Sequence, residues 1–172
     1  MTQNYLTRAA WRVFLTSALA FVLSSPLYAQ RGALTRSRNL GELVSQSAVI
    51  LRGNVISARA EPHPDLTNLW TVVVTLQVRE TLKGEAGPTF TFRQFIWDIR
   101  DRYDAAGYRK GQDLLLLMNP PTRYGLSSPA GLEQGRFRIQ RDGAGRETAV
   151  NGHGNAGGHK ASPGISRCLH LG

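Results

Sequence analysis

The sequence predicts a small, mainly β domain: an antiparallel barrel of five or six strands, closed or nearly closed, with one short helix. Apolar side chains occupy every second position over residues 70–78, which is the pattern of a half-buried strand. Residues 114–118 are all apolar, which indicates a strand covered on both faces. Short strand-like segments and turn signals continue to residue 150. A two-sheet sandwich has a similar strand count and stays open as the alternative.

The first elements follow a short lead-in. Residues 30–38 are basic and without periodicity, and are predicted to be flexible. Asn39 is a favourable N-cap, and the apolar residues after it recur at helical spacing, which predicts a short helix as far as Ser47. Residues 48–57 are rich in β-branched side chains and predict a strand. Gly53, in the middle of that strand, indicates a bulge or a sharp bend.

The central strands show which side chains face the core. The apolar face of the second strand comprises Trp70, Val72, Val74, Leu76 and Val78. The third strand continues the alternation: Phe90 and Phe92 lie on one side, and Phe95 and Trp97 on the other. One of these two aromatic pairs is therefore expected in the core. The segment 98–112 that follows is polar and predicts an excursion from the sheet.

The last strands complete the predicted domain, residues 39–150. After the apolar run, residues 135–140 predict a strand with Phe137 and Ile139 facing inward, and a short final strand is expected near residues 148–150. Residues 151–172 are rich in Gly, contain no acidic side chain and have few large apolar ones. Such a segment cannot bury enough surface to offset the entropy of ordering, so it is predicted to be a disordered tail.

The N-terminus has the pattern of a secretory signal peptide. Arg8 and Arg12 precede the apolar run 13–23, and Ala29 provides a small residue at the cleavage position. An uncleaved membrane anchor is the alternative, but this run is shorter than the roughly 20 residues that cross a bilayer. We therefore expect residues 1–29 to be removed, with no membrane span afterwards and a periplasmic or secreted location.

The net charge bears on the possible partners, and the cysteine content bears on what stabilises the fold. The formal net charge of the 172 residues is +9, and it falls to +7 if Arg8 and Arg12 leave with the signal peptide. A basic protein attracts acidic partners, although these positive charges are scattered along the chain, which weakens the case for a nucleic-acid surface. Cys168 is the only cysteine, so no internal disulfide can form and the fold must depend on its hydrophobic core.

Three segments together resemble a known superfamily. They are an apolar strand with Gly at 43–55, a strand that ends in Leu-Lys-Gly at 74–84, and a Gly-x-x-apolar strand at 110–117. Over about residues 40–150 the chain is similar to the tissue-inhibitor-of-metalloproteinase-like (netrin-module) OB-fold superfamily, in particular its exported bacterial members. The resemblance implies an OB-like five-stranded barrel, and it informs fold more than function.

The resemblance does not carry over a protease-inhibitory role. The animal inhibitors place an N-terminal cysteine against a catalytic metal and are cross-linked by disulfides. Here the processed chain would begin at Gln30, and no cysteine occurs before Cys168. The sequence therefore has no residue for that mode of inhibition.

Aromatic and arginine residues near the polar excursion form the candidate binding surface. The residues selected for it are Trp97, Arg100, Arg102, Tyr103 and Tyr108. Aromatic rings interleaved with arginines on an OB-type barrel are typical of single-strand nucleic-acid binding. The alternative is that these rings pack in the core, because aromatic side chains dominate small cores. Export argues against nucleic acid as the natural partner.

No metal, cofactor or catalytic site is predicted. Three aspartates recur every three residues: Asp98, Asp101 and Asp104. Their spacing does not match a calcium loop, and a solvated loop with Asp–Arg pairs is favoured. The tail also contains metal-ligand types, at loose spacings on Gly-rich chain: His153, His159, Cys168 and His170. His63 lies between two prolines and is interpreted as a loop residue rather than a general base.

These features predict a non-catalytic, exported binding module. No nucleophile elbow or metalloprotease helix is present, and no two titratable groups are brought together by spacing. We expect a protein or an envelope glycan to bind the loops around residues 59–69, 98–110 and 119–134, because loops on a rigid scaffold commonly carry such sites. A polyanion binder is the first alternative, and a small exported hydrolase or metal-dependent enzyme is the second.

Overall fold

The computed structural model describes residues 36–152, 154–155 and 170–171. Its elements in chain order are α1 (Leu40–Gln46), β1 (Val49–Pro62), β2 (Trp70–Lys83), β3 (Thr89–Phe95), a 3-10 helix (Ile99–Gly107), β4 (Asp113–Met118), a 3-10 turn (Leu132–Gln134), β5 (Arg136–Arg141), β6 (Glu147–Asn151) and the two-residue β7 (His170–Leu171). The strands form one sheet in the order β3-β2-β1-β4-β5-β6-β7, and every neighbouring pair is antiparallel.

The mainly β class, the number of main strands and the antiparallel pairing are confirmed. The sheet is open, with β3 at one edge, so the closed barrel is not confirmed; the described strands also belong to a single sheet rather than to two. Two isolated β-bridges join the segment after β4 to strands of the sheet. Leu126 pairs in parallel with Arg93 in β3, and Pro129 pairs antiparallel with Met118 in β4.

Helix α1 begins where the sequence predicts. The Asn39 side chain accepts a hydrogen bond from the Glu42 amide at 2.9 Å, and the Glu42 carboxylate accepts one from the Asn39 amide at 2.9 Å. This reciprocal capping box satisfies two amide groups that the helix itself cannot pair. Leu40 and Leu43 are buried on the face that meets the sheet.

Gly53 lies at an irregularity of the β1–β2 ladder, as predicted. The register shifts between Arg52 and Gly53, and a Cβ atom at Gly53 would lie 2.5 Å from the carbonyl oxygen of Gln77. Only a residue without a side chain allows the two backbones to approach so closely.

Strand β4 separates two cores, which confirms that it is covered on both faces. Leu116 and its alternate neighbours face the inner core, which consists of Leu51, Val55, Val72, Val74, Leu76, Phe92, Ile96, Tyr108, Leu114, Leu116 and Met118. Leu115 and Leu117 face the helix-side core, which consists of Leu40, Leu43, Ile50, Leu115, Leu117, Ala130, Phe137 and Ala149. Two buried faces explain why the sequence of β4 does not alternate.

The predicted apolar faces of β2 and β3 are confirmed, but the opposite face of β2 is also buried at Thr71 and Val73. Phe92 and Ile96 point into the inner core, and Trp97 is exposed. Thr71 lies on the face that was predicted to be polar, yet it is fully buried. Its hydroxyl donates to the Glu61 carbonyl at 2.8 Å and accepts from Arg93 Nη1 at 2.8 Å, so burial leaves no unpaired polar group.

The chain termini are only partly described. The predicted signal peptide 1–29 and most of the predicted lead-in lie outside the described residues, as does most of the predicted tail. Within the tail, Asn151 and Asn155 exchange side-chain hydrogen bonds with each other's amides, and β7 pairs with β6. Among the residues described, no helix combines the length and apolar character that a membrane crossing requires.

Candidate binding surface

The candidate surface is formed by the segment that leaves β3 and returns to β4. Asp98 begins its 3-10 helix by accepting a hydrogen bond from the Arg100 amide at 3.0 Å. Ala105 and Ala106 then adopt left-handed backbone angles, with φ of 52° and 54°. Residues with a Cβ atom rarely adopt this conformation, so contacts from the surrounding structure must hold the turn.

One such contact comes from a buried arginine on the core side of this turn. Arg136 of β5 is 7% exposed, and its Nη1 donates to the carbonyl oxygen of Ala106 at 2.9 Å. The guanidinium lies 4.4 Å from the centre of the Tyr108 ring and also pairs with Glu133. The charge is therefore both stacked and paired, as a buried guanidinium requires.

Tyr108 completes this support inside the inner core. Its ring is 2% exposed and meets Phe92 edge-on, and its hydroxyl donates to Gln94 Oε1 at 2.9 Å. Burial raises the pKa of Tyr108 to about 12, because the phenolate would lose its hydration. The predicted placement of Tyr108 on a ligand-binding surface is corrected here, since neither its ring nor its hydroxyl faces solvent.

The first part of the segment, before the turn, exposes large side chains to solvent. Trp97 is 62% exposed and Tyr103 is 78% exposed, and Ile99 between them is also exposed. The Trp97 ring meets the Phe95 ring edge-on, with 4.9 Å between the ring centroids. We call Trp97, Ile99, Arg102 and Tyr103 the 97–103 surface.

Arg102 lies between two aromatic rings of this region. Its guanidinium carbon is 5.1 Å from the centre of the Trp70 ring and 4.7 Å from that of Tyr103, and Nη2 donates to the Tyr103 hydroxyl at 2.8 Å. Each stack of this type contributes about 0.5–1 kcal/mol at an exposed site. The stack restrains Tyr103 although most of its surface is exposed.

Of the five predicted residues, Arg102 and Tyr103 are in direct contact, whereas Trp97 is exposed in the same segment and meets Phe95. Arg100 points to Asp98 instead, with Nη2 2.5 Å from a carboxylate oxygen, and this hydrogen bond together with the charge of Asp98 raises the pKa of Arg100. The prediction of local Asp–Arg pairs is confirmed for these two residues.

A second arginine–tyrosine stack was missed by the sequence analysis. In the loop after β4, the guanidinium carbon of Arg123 lies 4.6 Å from the centre of the Tyr124 ring, and Nη2 donates to the Tyr124 hydroxyl. Tyr124 is 45% exposed. The signal was present as an Arg-Tyr dipeptide that occurs twice in polar loops, at 102–103 and at 123–124.

His63 connects this second loop to the loop between β1 and β2. It is a buried loop residue, and its Nδ1 accepts hydrogen bonds from the amides of Asp65 and Leu66, both at 3.2 Å. Nε2 lies 2.9 Å from the carbonyl oxygen of Tyr124. Because Nδ1 is an acceptor, the proton is assigned to Nε2, which donates to Tyr124. Both ring nitrogens therefore have structural partners.

A separate ion cluster joins the strands at the helix side of the sheet. Arg52 lies 2.6 Å from Asp113 and 2.9 Å from Glu147, and Arg141 also pairs with Glu147. Hydrogen bonds from Arg52 and Arg141 lower the pKa of Glu147 to about 2. The cluster links β1, β4, β5 and β6, which indicates a structural role.

Metal-ligand types do not converge in the part of the chain that the structure describes, where no group of three or more His, Cys, Asp or Glu side chains could hold an ion. Asp98 is used in capping and in its pair with Arg100. Of the tail ligands considered above, His153, His159 and Cys168 lie outside the described residues.

Comparison of the chain with protein-family models, curated proteins and solved structures found no match. The fold and the exposed side chains define the protein as a β-sheet domain with an exposed aromatic and arginine surface. The superfamily resemblance remains a hypothesis.

Proposed function

We propose that this chain is an exported, non-catalytic binding module that recognises a protein partner through the 97–103 surface. The observation that carries the proposal is the exposure of Trp97 and Tyr103 in one short segment, together with Arg102, which stacks on the rings of Trp70 and Tyr103. Tryptophan, tyrosine and arginine are the residues that dominate the binding energy of protein interfaces. Exposed apolar clusters of this kind commonly mark interaction sites.

The support beneath the surface strengthens this proposal. Arg136 donates to the Ala106 carbonyl and stacks on Tyr108, which fixes the turn that directly follows the 97–103 surface, so binding would order few additional residues. A surface that is ordered before the ligand arrives loses less entropy on association. This argument applies to a rigid protein partner and equally to an envelope glycan, whose sugar rings could stack on the exposed aromatics.

The test is capture of a partner by the processed protein from an extract of the cell envelope, with photo-crosslinking and mass spectrometry. Trp97→Ala and Tyr103→Ala should each reduce capture about tenfold or more, the effect of losing a hot-spot residue. Leu82→Ala, which removes an exposed apolar side chain of β2, is the matched control. Capture that survives both aromatic substitutions contradicts the proposal, and capture of glycan without protein moves the assignment to the alternative ligand.

A polyanion binder is the second candidate, and exposed cations favour it. Arg109, Lys110 and Arg138 are exposed and form no ion pair within residues 36–152. This candidate predicts heparin or single-stranded DNA affinity that falls steeply with added salt. Absent or salt-insensitive binding would eliminate it.

For the fold, we propose that the sheet belongs to an OB-like barrel of the tissue-inhibitor-of-metalloproteinase-like superfamily. Support comes from the segment after β4, whose Ser127 amide donates to the Arg93 carbonyl at 2.8 Å while its Ala130 amide donates to Leu117 at 2.7 Å. Such a segment would close the circuit β1-β2-β3-segment-β4-β1. Slow hydrogen exchange of the Ser127 amide is expected, and exchange at the rate of an open loop would argue against closure.

Export is proposed from the N-terminal charge and apolar pattern. N-terminal sequencing of the protein recovered from the periplasm or medium should begin at Gln30. Recovery of the intact N-terminus in the membrane fraction would instead indicate an anchor.

A further inference from the structure

Most arginines in the described part of the chain pair with a carboxylate. The paired arginines are Arg52, Arg59, Arg79, Arg93, Arg100, Arg136, Arg141 and Arg146. Arg102 and Arg123 differ, because within residues 36–152 neither forms an ion pair, and each stacks on the tyrosine that follows it. We call these two the arginine–tyrosine units.

The two units share one geometry. The distance from guanidinium carbon to ring centre is 4.7 Å at Tyr103 and 4.6 Å at Tyr124, and in each unit Nη2 donates to the tyrosine hydroxyl. Both rings are exposed. Two unrelated loops thus present the same arrangement of a cation on an aromatic ring.

This arrangement suits the recognition of a carboxylate. A guanidinium has five N–H donors in its plane, and stacking covers a face of that plane and leaves its edge open. One donor of each unit is used by the tyrosine hydroxyl, and no carboxylate of the described residues occupies the remaining edge. A carboxylate binds such an edge through two parallel hydrogen bonds. The stack restrains the arginine beforehand, so less side-chain entropy is lost when the anion binds.

The loop between β1 and β2 connects the two units. Arg102 also stacks on Trp70, and Trp70 is the register partner of Pro62. His63, the residue after Pro62, forms a hydrogen bond with the carbonyl oxygen of Tyr124. The first unit therefore contacts the chain at Trp70, where this loop ends, and the second contacts it at His63, where the loop begins.

We infer that the partner presents an acidic protein segment to the two arginine–tyrosine units, one carboxylate to each; this rests on the proposed function. The net charge, +9 for the 172 residues and +7 without Arg8 and Arg12 of the signal peptide, attracts such a segment at long range. Trp97 and Ile99 are exposed in the same chain segment as Arg102 and suit apolar side chains of the ligand, which favours a polypeptide over a uronate glycan or a nucleic acid. Asp104 is exposed next to Tyr103 and opposes an anion there, so Asp104→Asn should strengthen binding.

The test measures binding of the processed protein to a fluorescein-labelled synthetic peptide of repeating Glu-Glu-Leu by fluorescence anisotropy. The double substitution Arg102→Gln with Arg123→Gln should lower affinity about tenfold or more, because two charge-assisted contacts are lost. The matched control, Arg109→Gln with Arg138→Gln, removes the same charge from exposed positions and should lower it less than about twofold. The double substitution Arg102→Lys with Arg123→Lys keeps the charge but not the planar, bidentate donor edge, and should bind more weakly than the original protein.

Three results would overturn the inference: equal loss in the control, full binding by the lysine variant, or binding of polygalacturonate or single-stranded DNA in place of the peptide. Envelope capture separates this inference from the proposed function. If Trp97→Ala loses the partner and the Arg102→Gln, Arg123→Gln variant keeps it, the 97–103 surface binds a protein that is not recognised through carboxylates. If neither variant changes capture, both proposals fail.

Discussion

The inner core and the segment 97–107 are stabilised by different kinds of contact. In the inner core, many apolar side chains from β1, β2, β3 and β4 share the burial, and each contributes through area removed from water. In the segment, the left-handed turn at Ala105 and Ala106 packs only these two small side chains against the core, and Arg136 donates a hydrogen bond to the Ala106 carbonyl. We therefore expect substitutions in the inner core to lower the stability of the whole domain without changing the conformation of the segment. Substitutions that remove the contacts of the segment should change its conformation without unfolding the domain.

The largest expected effect is loss of a core side chain. Leu116→Ala removes a fully buried side chain from the central strand and should lower the free energy of unfolding by about 2–5 kcal/mol. Urea denaturation followed by circular dichroism measures this. Leu82→Ala, on an exposed position, should cost far less, and equal costs would mean that β4 is not the centre of the domain.

Arg136→Met should have a smaller global effect and a distinct local one. It leaves the Ala106 carbonyl without its donor, so we expect a loss of about 1–3 kcal/mol. Hydrogen exchange of the amides at 99–107 should accelerate more than exchange in β1 and β2. Uniform acceleration over both regions would contradict the separation of surface from scaffold.

Acid should weaken the ion cluster of Arg52, Asp113 and Glu147. The folded-state pKa of Glu147 is about 2, below its ordinary value of 4.5, so the stability that this carboxylate contributes is present above about pH 4.5 and is lost as the pH falls towards 2. Urea midpoints measured from pH 7 to pH 2 should fall more steeply for the original protein than for Glu147→Gln. Glu85→Gln, which removes an exposed carboxylate without an ion pair in the described residues, should leave the slope unchanged.

The smallest expected effect has the opposite sign. Ala105→Gly places glycine at a φ of 52° and should stabilise the fold by roughly 0.5–1 kcal/mol, because the steric cost of the left-handed conformation is removed. Ala60→Gly in β1 should instead destabilise by a similar amount. If both substitutions destabilise equally, the turn at 105–106 carries no strain.

The two regions also differ in how far the sequence predicts them. The faces of β2, the double burial of β4 and the cap at Asn39 follow from patterns within a few residues of each other, and all three are confirmed. The position of Tyr108 does not follow from such a pattern, because its neighbours are polar and its partner Arg136 lies 28 residues further along the chain. The stack of Arg102 on Trp70 likewise joins residues that only the folded sheet brings together. The periodicity of apolar residues predicts which side chains are buried. It does not predict which polar groups from distant parts of the chain come into contact.

His63 has a consequence for redesign of the molecule. Because one imidazole joins the turn after β1 to the backbone at Tyr124, the two loops cannot be exchanged or lengthened one at a time. A library that diversifies residues 64–68 while keeping His63 would retain the geometry of the neighbouring loop. A graft that replaces His63 would need another side chain that forms hydrogen bonds with both loops.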